Sequence, residues 1–281
     1  MPNFKAALAA YNTKDYQSAI KLIDKFCPLD FNANLLKAAS LSALNKDAQA
    51  AEIYAELLNI KPGSTLLLES YTSLLLKLGD FEACLQLTSS PYLPASHQIC
   101  LNKLEALIKS DKLMEAKKFI SLLDIPEKLE FKFIWLKINL YESLGELEKI
   151  EKLISELPVN KAKNFYISYK RGCNLRSMGF FANALEILFK TKKDHKVTPE
   201  ILYLIGCIYN DLNDSANCEY YLKQCLSIAP YYIPAHESLN KLYSANNNRR
   251  SFLSSYITVK QKYEPHPTLK PLFYIPAYKN R

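Results

Sequence analysis

Turn-forming residues return along this chain at a nearly constant interval. Asn45, Gly79, Asp111, Gly145, Gly179, Asn213 and Asn247 are separated by steps of 34, 32, 34, 34, 34 and 34 residues, and Lys14 precedes Asn45 by 31. Five residues after each stands a second ladder of mostly small residues: Ala19, Ala50, Cys84, Ala116, Ile150, Ala184, Cys218 and Phe252. A turn followed at a fixed offset by a small residue describes two helices that cross closely, and a period in this range marks an array of stacked supersecondary units. The pattern within each period agrees. Ile201, Leu202, Ile205, Ile208 and Tyr209 recur at helical spacing before the turn at Asn213, and Cys218, Tyr221, Leu222, Cys225 and Leu226 do so after it. The expected fold is therefore all-α, a solenoid of about eight helical hairpins.

Only 6 glycines occur in 281 residues, and Gly79, Gly145 and Gly179 sit on the turn ladder, so the rest of the chain is free to be helical. No apolar run approaches the roughly 18 residues needed to span a bilayer. Met1 to Tyr16 alternates apolar and charged residues, without the pattern of a secretory signal, which predicts an intracellular protein, cytoplasmic or, in a eukaryote, nuclear. The 7 cysteines form no CxxC pair, and Cys84, Cys218 and Cys225 fall at inward slots, so they read as small packing residues in a reducing compartment. The 4 histidines, His97, His195, His236 and His266, share no metal-ligand spacing, and neither a metal nor another cofactor is expected.

These residues resemble the tetratricopeptide repeat family. The seventh period supplies Leu202, Ile205-Gly206, Tyr209, Asn213-Asp214, Cys218, Leu222, Cys225 and Pro230 at that family's positions; the second supplies Ala38, Leu41, Asn45, Ala50, Tyr54 and Pro62; the sixth supplies Gly172, Leu175, Gly179, Phe181, Ala184 and Leu188. The likeness covers residues 1–265 and implies a right-handed solenoid. The Pro-rich, basic stretch 266–281 departs from it and is expected to be a non-helical tail. In the third to fifth periods Thr72, Leu104 and Ile138 replace the small crossing residue, which predicts wider helix spacing or a local change of superhelical pitch there. A pentatricopeptide array reading RNA would repeat one residue later, and the step of 34 disfavours it.

The resemblance implies that the first helix of each repeat lines a concave groove. It places Lys132, Trp135, Asn139, Tyr166, Tyr169, Arg176, Tyr203 and Asn210 there, residue types that anchor protein partners. The expected ligand is a peptide or a subunit of a multiprotein complex, with no small-molecule substrate. Self-association is left open. The paired cationic slots of the carboxylate-clamp co-chaperones are absent, because the matching positions read Phe4, Leu8, Leu35, Ala39, Glu69 and Ser73. The net charge of +8 is uneven, and Lys241, Arg249, Arg250, Lys260 and Lys262 define a basic C-terminal surface. With no nucleic-acid motif behind it, that charge does not argue for nucleic-acid binding. No phosphate-cradling loop, nucleophile elbow or zinc-protease motif occurs, so the expected role is a non-enzymatic scaffold or adaptor. The alternative is the repeat portion of a larger enzyme, with an oxygenase, sulfotransferase or glycosyltransferase domain beyond residue 281.

Overall fold

The computed structural model describes residues 2–89, 96–125 and 127–245. Among them are sixteen helices and no strand. Seven hairpins follow one another: α1 (Pro2–Asn12) with α2 (Tyr16–Phe26), α3 (Phe31–Ala43) with α4 (Asp47–Ile60), α5 (Thr65–Leu78) with α6 (Phe81–Leu87), and α7 (His97–Lys109) with α8 (Leu113–Ile120). After these come α9 (Glu127–Ser143) with α10 (Leu147–Ser155), the single turn α11 (Val159–Ala162), α12 (Phe165–Ser177) with α13 (Phe181–Asp194), and α14 (Pro199–Asp211) with α15 (Ser215–Ile228). The last described helix is α16 (Ile233–Ala245). Arg249, Arg250, Lys260, Lys262, Phe252 and the stretch 266–281 lie outside the described residues.

Each rung of the turn ladder does the same backbone work. Lys14, Asn45, Gly79, Asp111, Gly145, Gly179 and Asn213 all have φ between 59° and 81°. In every case the following N–H bonds back to a carbonyl five residues earlier at 2.8–2.9 Å, from Asp15 to Ala10 through Asp214 to Tyr209. This left-handed residue with its long back-bond closes the first helix and reverses the chain. The next residue then starts the second helix. Asp15, Asp80 and Asp214 accept bonds from the N–H groups of Ser18, Ala83 and Asn217, satisfying donors that the new helix leaves open.

The small-residue ladder fixes how closely the two helices cross. Ala19, Ala50, Cys84, Ala116, Ile150, Ala184 and Cys218 are each no more than 2% exposed. Opposite them, a Cβ built on Gly172 would lie 2.7 Å from Leu188 Cδ2, and one on Gly206 would lie 3.1 Å from Leu222 Cγ. Leu188 and Leu222 therefore occupy the space that a side chain would need.

The third to fifth hairpins differ. Thr72, Leu104 and Ile138 are buried where the others carry Ala or Gly, and their second helices are short, at 7, 8 and 9 residues against 11 to 14 elsewhere. Prolines account for much of this. Pro62 and Pro230 stand seventeen residues beyond their turn residues, whereas Pro91, Pro126 and Pro158 stand twelve, fifteen and thirteen beyond theirs.

The chain divides into two compact units, Met1–Lys152 and Leu153–Arg281. In the first, one apolar cluster joins α5 to α9 through Leu75, Cys84, Leu101, Leu104, Leu107, Ala116, Phe133, Leu136 and Leu140. A second cluster, built on Leu35, Ala38, Leu41, Tyr54, Leu57, Leu67 and Leu74, ties α3 to α5. In the second unit, Leu175, Leu188, Ile201, Leu204 and Ile205 join the sixth hairpin to the seventh, and Leu202, Leu222, Ala235 and Leu239 carry the packing on to α16. Within each unit, hairpins thus bury apolar faces against sequence neighbours, as stacked repeats do.

Candidate protein-binding site

The eight expected groove residues fall into two groups, one in each unit. Lys132, Trp135 and Asn139 stand on α9 of the first unit at spacings of three and four, hence on one side of that helix. All three are half-buried.

Lys132 is held by a polar network that the sequence did not disclose. Its ammonium lies 3.1 Å from Glu105 and donates to Asn102 Oδ1 at 3.1 Å. Asn102, fully buried on α7, also accepts from Gln98 at 2.8 Å and donates to Thr72 Oγ1 at 2.9 Å and Ser73 Oγ at 3.0 Å. Both amide donors and both carbonyl lone pairs are used, so this buried amide carries no desolvation debt. Thr72, which looked from the sequence like a misfit at a crossing position, is a member of this chain of bonds. The network links α5, α7 and α9, three successive first helices, in one register. The sequence held no signal for it, because its members stand at different offsets from their turns: Thr72 seven before Gly79, Asn102 nine before Asp111 and Lys132 thirteen before Gly145.

Tyr166, Tyr169, Arg176, Tyr203 and Asn210 belong to the second unit. Tyr166 is 41% exposed, its ring edge-on to Phe165 at 5.4 Å, while Phe165 also stacks on Tyr169 at 6.4 Å. Two turns beyond Tyr169 on α12, Arg176 reaches Asp211 on α14 through two bonds, Nε to Oδ2 at 2.5 Å and Nη2 to Oδ1 at 3.2 Å. This two-point fork fixes the adjacent first helices against each other. Tyr203 packs on Tyr232 of α16 with ring centres 5.4 Å apart, and Asn210 is exposed at the end of α14. The structure therefore brings Tyr166 next to Tyr169, and Arg176 and Tyr203 into one cluster with Cys207 and Asp211.

Burial sets the protonation of this cluster. It pushes the Tyr203 hydroxyl up to about 12, with the neighbouring Cys207 adding to the shift. It also raises the Cys207 thiol, which the Arg176 charge offsets only in part, and it raises Tyr169, helped by Cys173. Their raised values favour the uncharged hydroxyl and thiol forms at neutral pH, which can donate and accept hydrogen bonds. Among the described residues no group of three His, Cys, Asp or Glu side chains is placed to hold a metal ion. No helix among them is long and apolar enough to cross a membrane.

Of the predicted basic C-terminal surface, only Lys241 is described. It lies on α16 beside Glu237, Asn240 and Ser244, which line a shallow depression. The sequence reading missed a different concentration of charge. Residues 159–196 hold nine Lys and Arg against Glu186 and Asp194 alone.

Repeated helical hairpins, closed by a left-handed turn and packed through a small crossing residue, define an α-repeat protein. The comparisons with known proteins place that architecture more narrowly. A tetratricopeptide repeat protein from Parabacteroides merdae ATCC 43184 superposes with a TM-score of 0.64 at 18% identity, over 86% of this chain and 97% of that one. The fold is the tetratricopeptide-repeat fold, as the sequence resemblance implied. Weaker likenesses are found to Cut9–Hcn1 of the APC/C (TM-score 0.48, 16% identity, 92% of this chain and 52% of that one) and to PilF of Pseudomonas aeruginosa (0.47, 13%, 84% and 94%). No family model and no curated protein matches the sequence.

Proposed function

We propose that this chain is a non-enzymatic interaction scaffold that holds a peptide or subunit of a partner protein along the first helices of its hairpins. The supporting observation is the aromatic and polar row of the second unit, where Tyr166, Tyr169, Tyr203 and Asn210 are carried by rigid helices that the Arg176–Asp211 fork holds together. Side chains fixed before the partner arrives lose little conformational freedom on binding, so their contacts convert efficiently into affinity. Tyrosine suits this work because it offers a large apolar ring and a hydroxyl at the cost of two torsions. In this reading Tyr166, Tyr169, Tyr203, Asn210 and, in the first unit, Trp135 and Asn139 meet the partner. Arg176 and Lys132 hold the helices in register. The partner belongs to a multiprotein assembly in which this chain is a structural member.

The test uses residues whose loss spares the fold. Affinity capture with the wild-type chain and with a Tyr166→Ala, Asn210→Ala variant, read by quantitative mass spectrometry, should recover a specific partner with the first and at least several-fold less with the second. Equal recovery by both counts against the proposal. A natural reading frame that continues past Arg281 into a catalytic domain would favour the enzyme alternative instead.

A further inference from the structure

The sixth hairpin and the link that leads into it carry a local excess of exposed lysine over carboxylate. Several lysines of other hairpins are answered by acids of an adjacent hairpin: Lys77 by Asp47 at 2.8 Å, Lys112 by Glu82 at 2.9 Å, and Lys117 by Glu146. Lys163, Lys190, Lys193 and Lys196 are exposed, and among the described residues none of them forms an ion pair. The only carboxylates between residues 159 and 196, Glu186 and Asp194, form none either. Lys192, by contrast, is turned onto the Tyr221 ring of the next hairpin at 5.5 Å.

The fold gathers these four cations at one end of the hairpin. Lys190 and Lys193 are one turn apart on α13 and share its side. That helix ends at His195, whose Nε2 lies 2.9 Å from the carbonyl oxygen of Lys163 and whose ring meets Phe165 edge-on at 5.9 Å. This bridge brings Lys163, in the link between α11 and α12, against the C-terminal end of α13, where Lys196 follows one residue later.

We infer that Lys163, Lys190, Lys193 and Lys196 form a docking ridge for an acidic, Asp/Glu-rich segment of a protein partner. Like charges held together by the fold repel one another, and an anionic segment relieves that repulsion while releasing counterions. The ridge offers four separate ammonium groups with no arginine fork. Its adjacent rings are engaged, Phe165 by His195 and Tyr169 and Phe189 by Tyr221 at 6.1 Å. Single carboxylates match single ammonium groups as they do in the other hairpins, and the absence of an arginine fork favours them over phosphates. The ridge is independent of the aromatic row and stands whether or not that row binds a partner.

The test is fluorescence anisotropy of a labelled oligoglutamate peptide with the full chain at about 50 mM salt, where screening is weak. Lys163→Glu, Lys190→Glu, Lys193→Glu and Lys196→Glu combined should weaken binding about tenfold or more. The same charge change made at Arg249, Arg250, Lys260 and Lys262 should have a much smaller effect, and the Tyr166→Ala, Asn210→Ala variant should bind as wild type. Circular dichroism melting checks that the ridge variant folds. If it does not, the four Lys→Gln changes replace it, with a smaller loss expected in the same direction. Equal losses in both charge-changed variants, or no loss in the ridge variant, would overturn the inference. So would ridge-dependent binding of an oligothymidine strand or phosphatidylserine vesicles tighter than that of the peptide.

Discussion

At the scale of single residues, Gly172 makes the tightest approach of the six glycines, against Leu188. A methyl group at position 172 would have to displace the side chain of Leu188, which is fully buried. Overpacking of this kind costs about 1–3 kcal/mol, while replacing a helical glycine returns up to about 1 kcal/mol of helix propensity. Gly172→Ala should therefore destabilise the chain by about 1 kcal/mol or more in urea unfolding, despite improving the helix. Leu188→Ala should cost about 2–5 kcal/mol alone. The double variant should lose less than the two single losses added together, because the space left by one change accommodates the other. Additive losses would mean that the crossing relaxes by moving its backbone instead. The residue-level logic of the turn and crossing ladders was legible in the sequence because both depend on local chemistry at a fixed offset. The Asn102 network was not, since its partners come from three separate helices and carry no shared motif.

At the scale of elements, the sequence exposed the existence and pairing of the helices better than their lengths. Pro91, twelve residues beyond Gly79, leaves room for only a short α6, whereas Pro126 and Pro158 lie fifteen and thirteen residues beyond their turns and mark the ends of α8 and α10 less clearly. The sequence also read Thr72, Leu104 and Ile138 as sites of wider helix spacing or changed pitch; what the structure shows is that the second helices there are shorter. A helix of two turns makes few internal bonds and buries little surface, so it opens at lower cost than a helix of four. Native-state hydrogen exchange should find the amides of α6, α8 and α10 at least about tenfold faster than those at the centres of α14 and α15. Equal protection throughout would show that the array opens only as a whole. The aromatic row was half legible in the same sense: the sequence located its residues, but the fork from Arg176 to Asp211 and the Tyr203–Tyr232 contact needed coordinates.

At the scale of the whole molecule, carboxylates paired at many rungs act together on stability. Hydrogen bonding from Lys77 holds the Asp47 carboxyl below the ordinary range, and Lys117 followed by Lys149 does the same for Glu146. Asp15, Asp214 and Glu219 are lowered chiefly by bonds from Ser18, Asn217 and Lys223. A carboxyl that binds its proton less readily in the folded chain than in the unfolded one adds stability above its unfolded titration range, near pH 4, and loses it as the pH falls through the folded one. The melting temperature should thus be flat from pH 7 to about pH 5 and decline below that. Lys77→Met should remove part of the decline, and an unchanged profile would show that this pair contributes nothing. The crossing residues carry a further consequence, for engineering. Hairpins six and seven share a glycine crossing and a long second helix, so each should accept transplantation into the other's place. Hairpins three to five share buried polar partners and abbreviated helices, and they would have to be moved as a block, neighbours included.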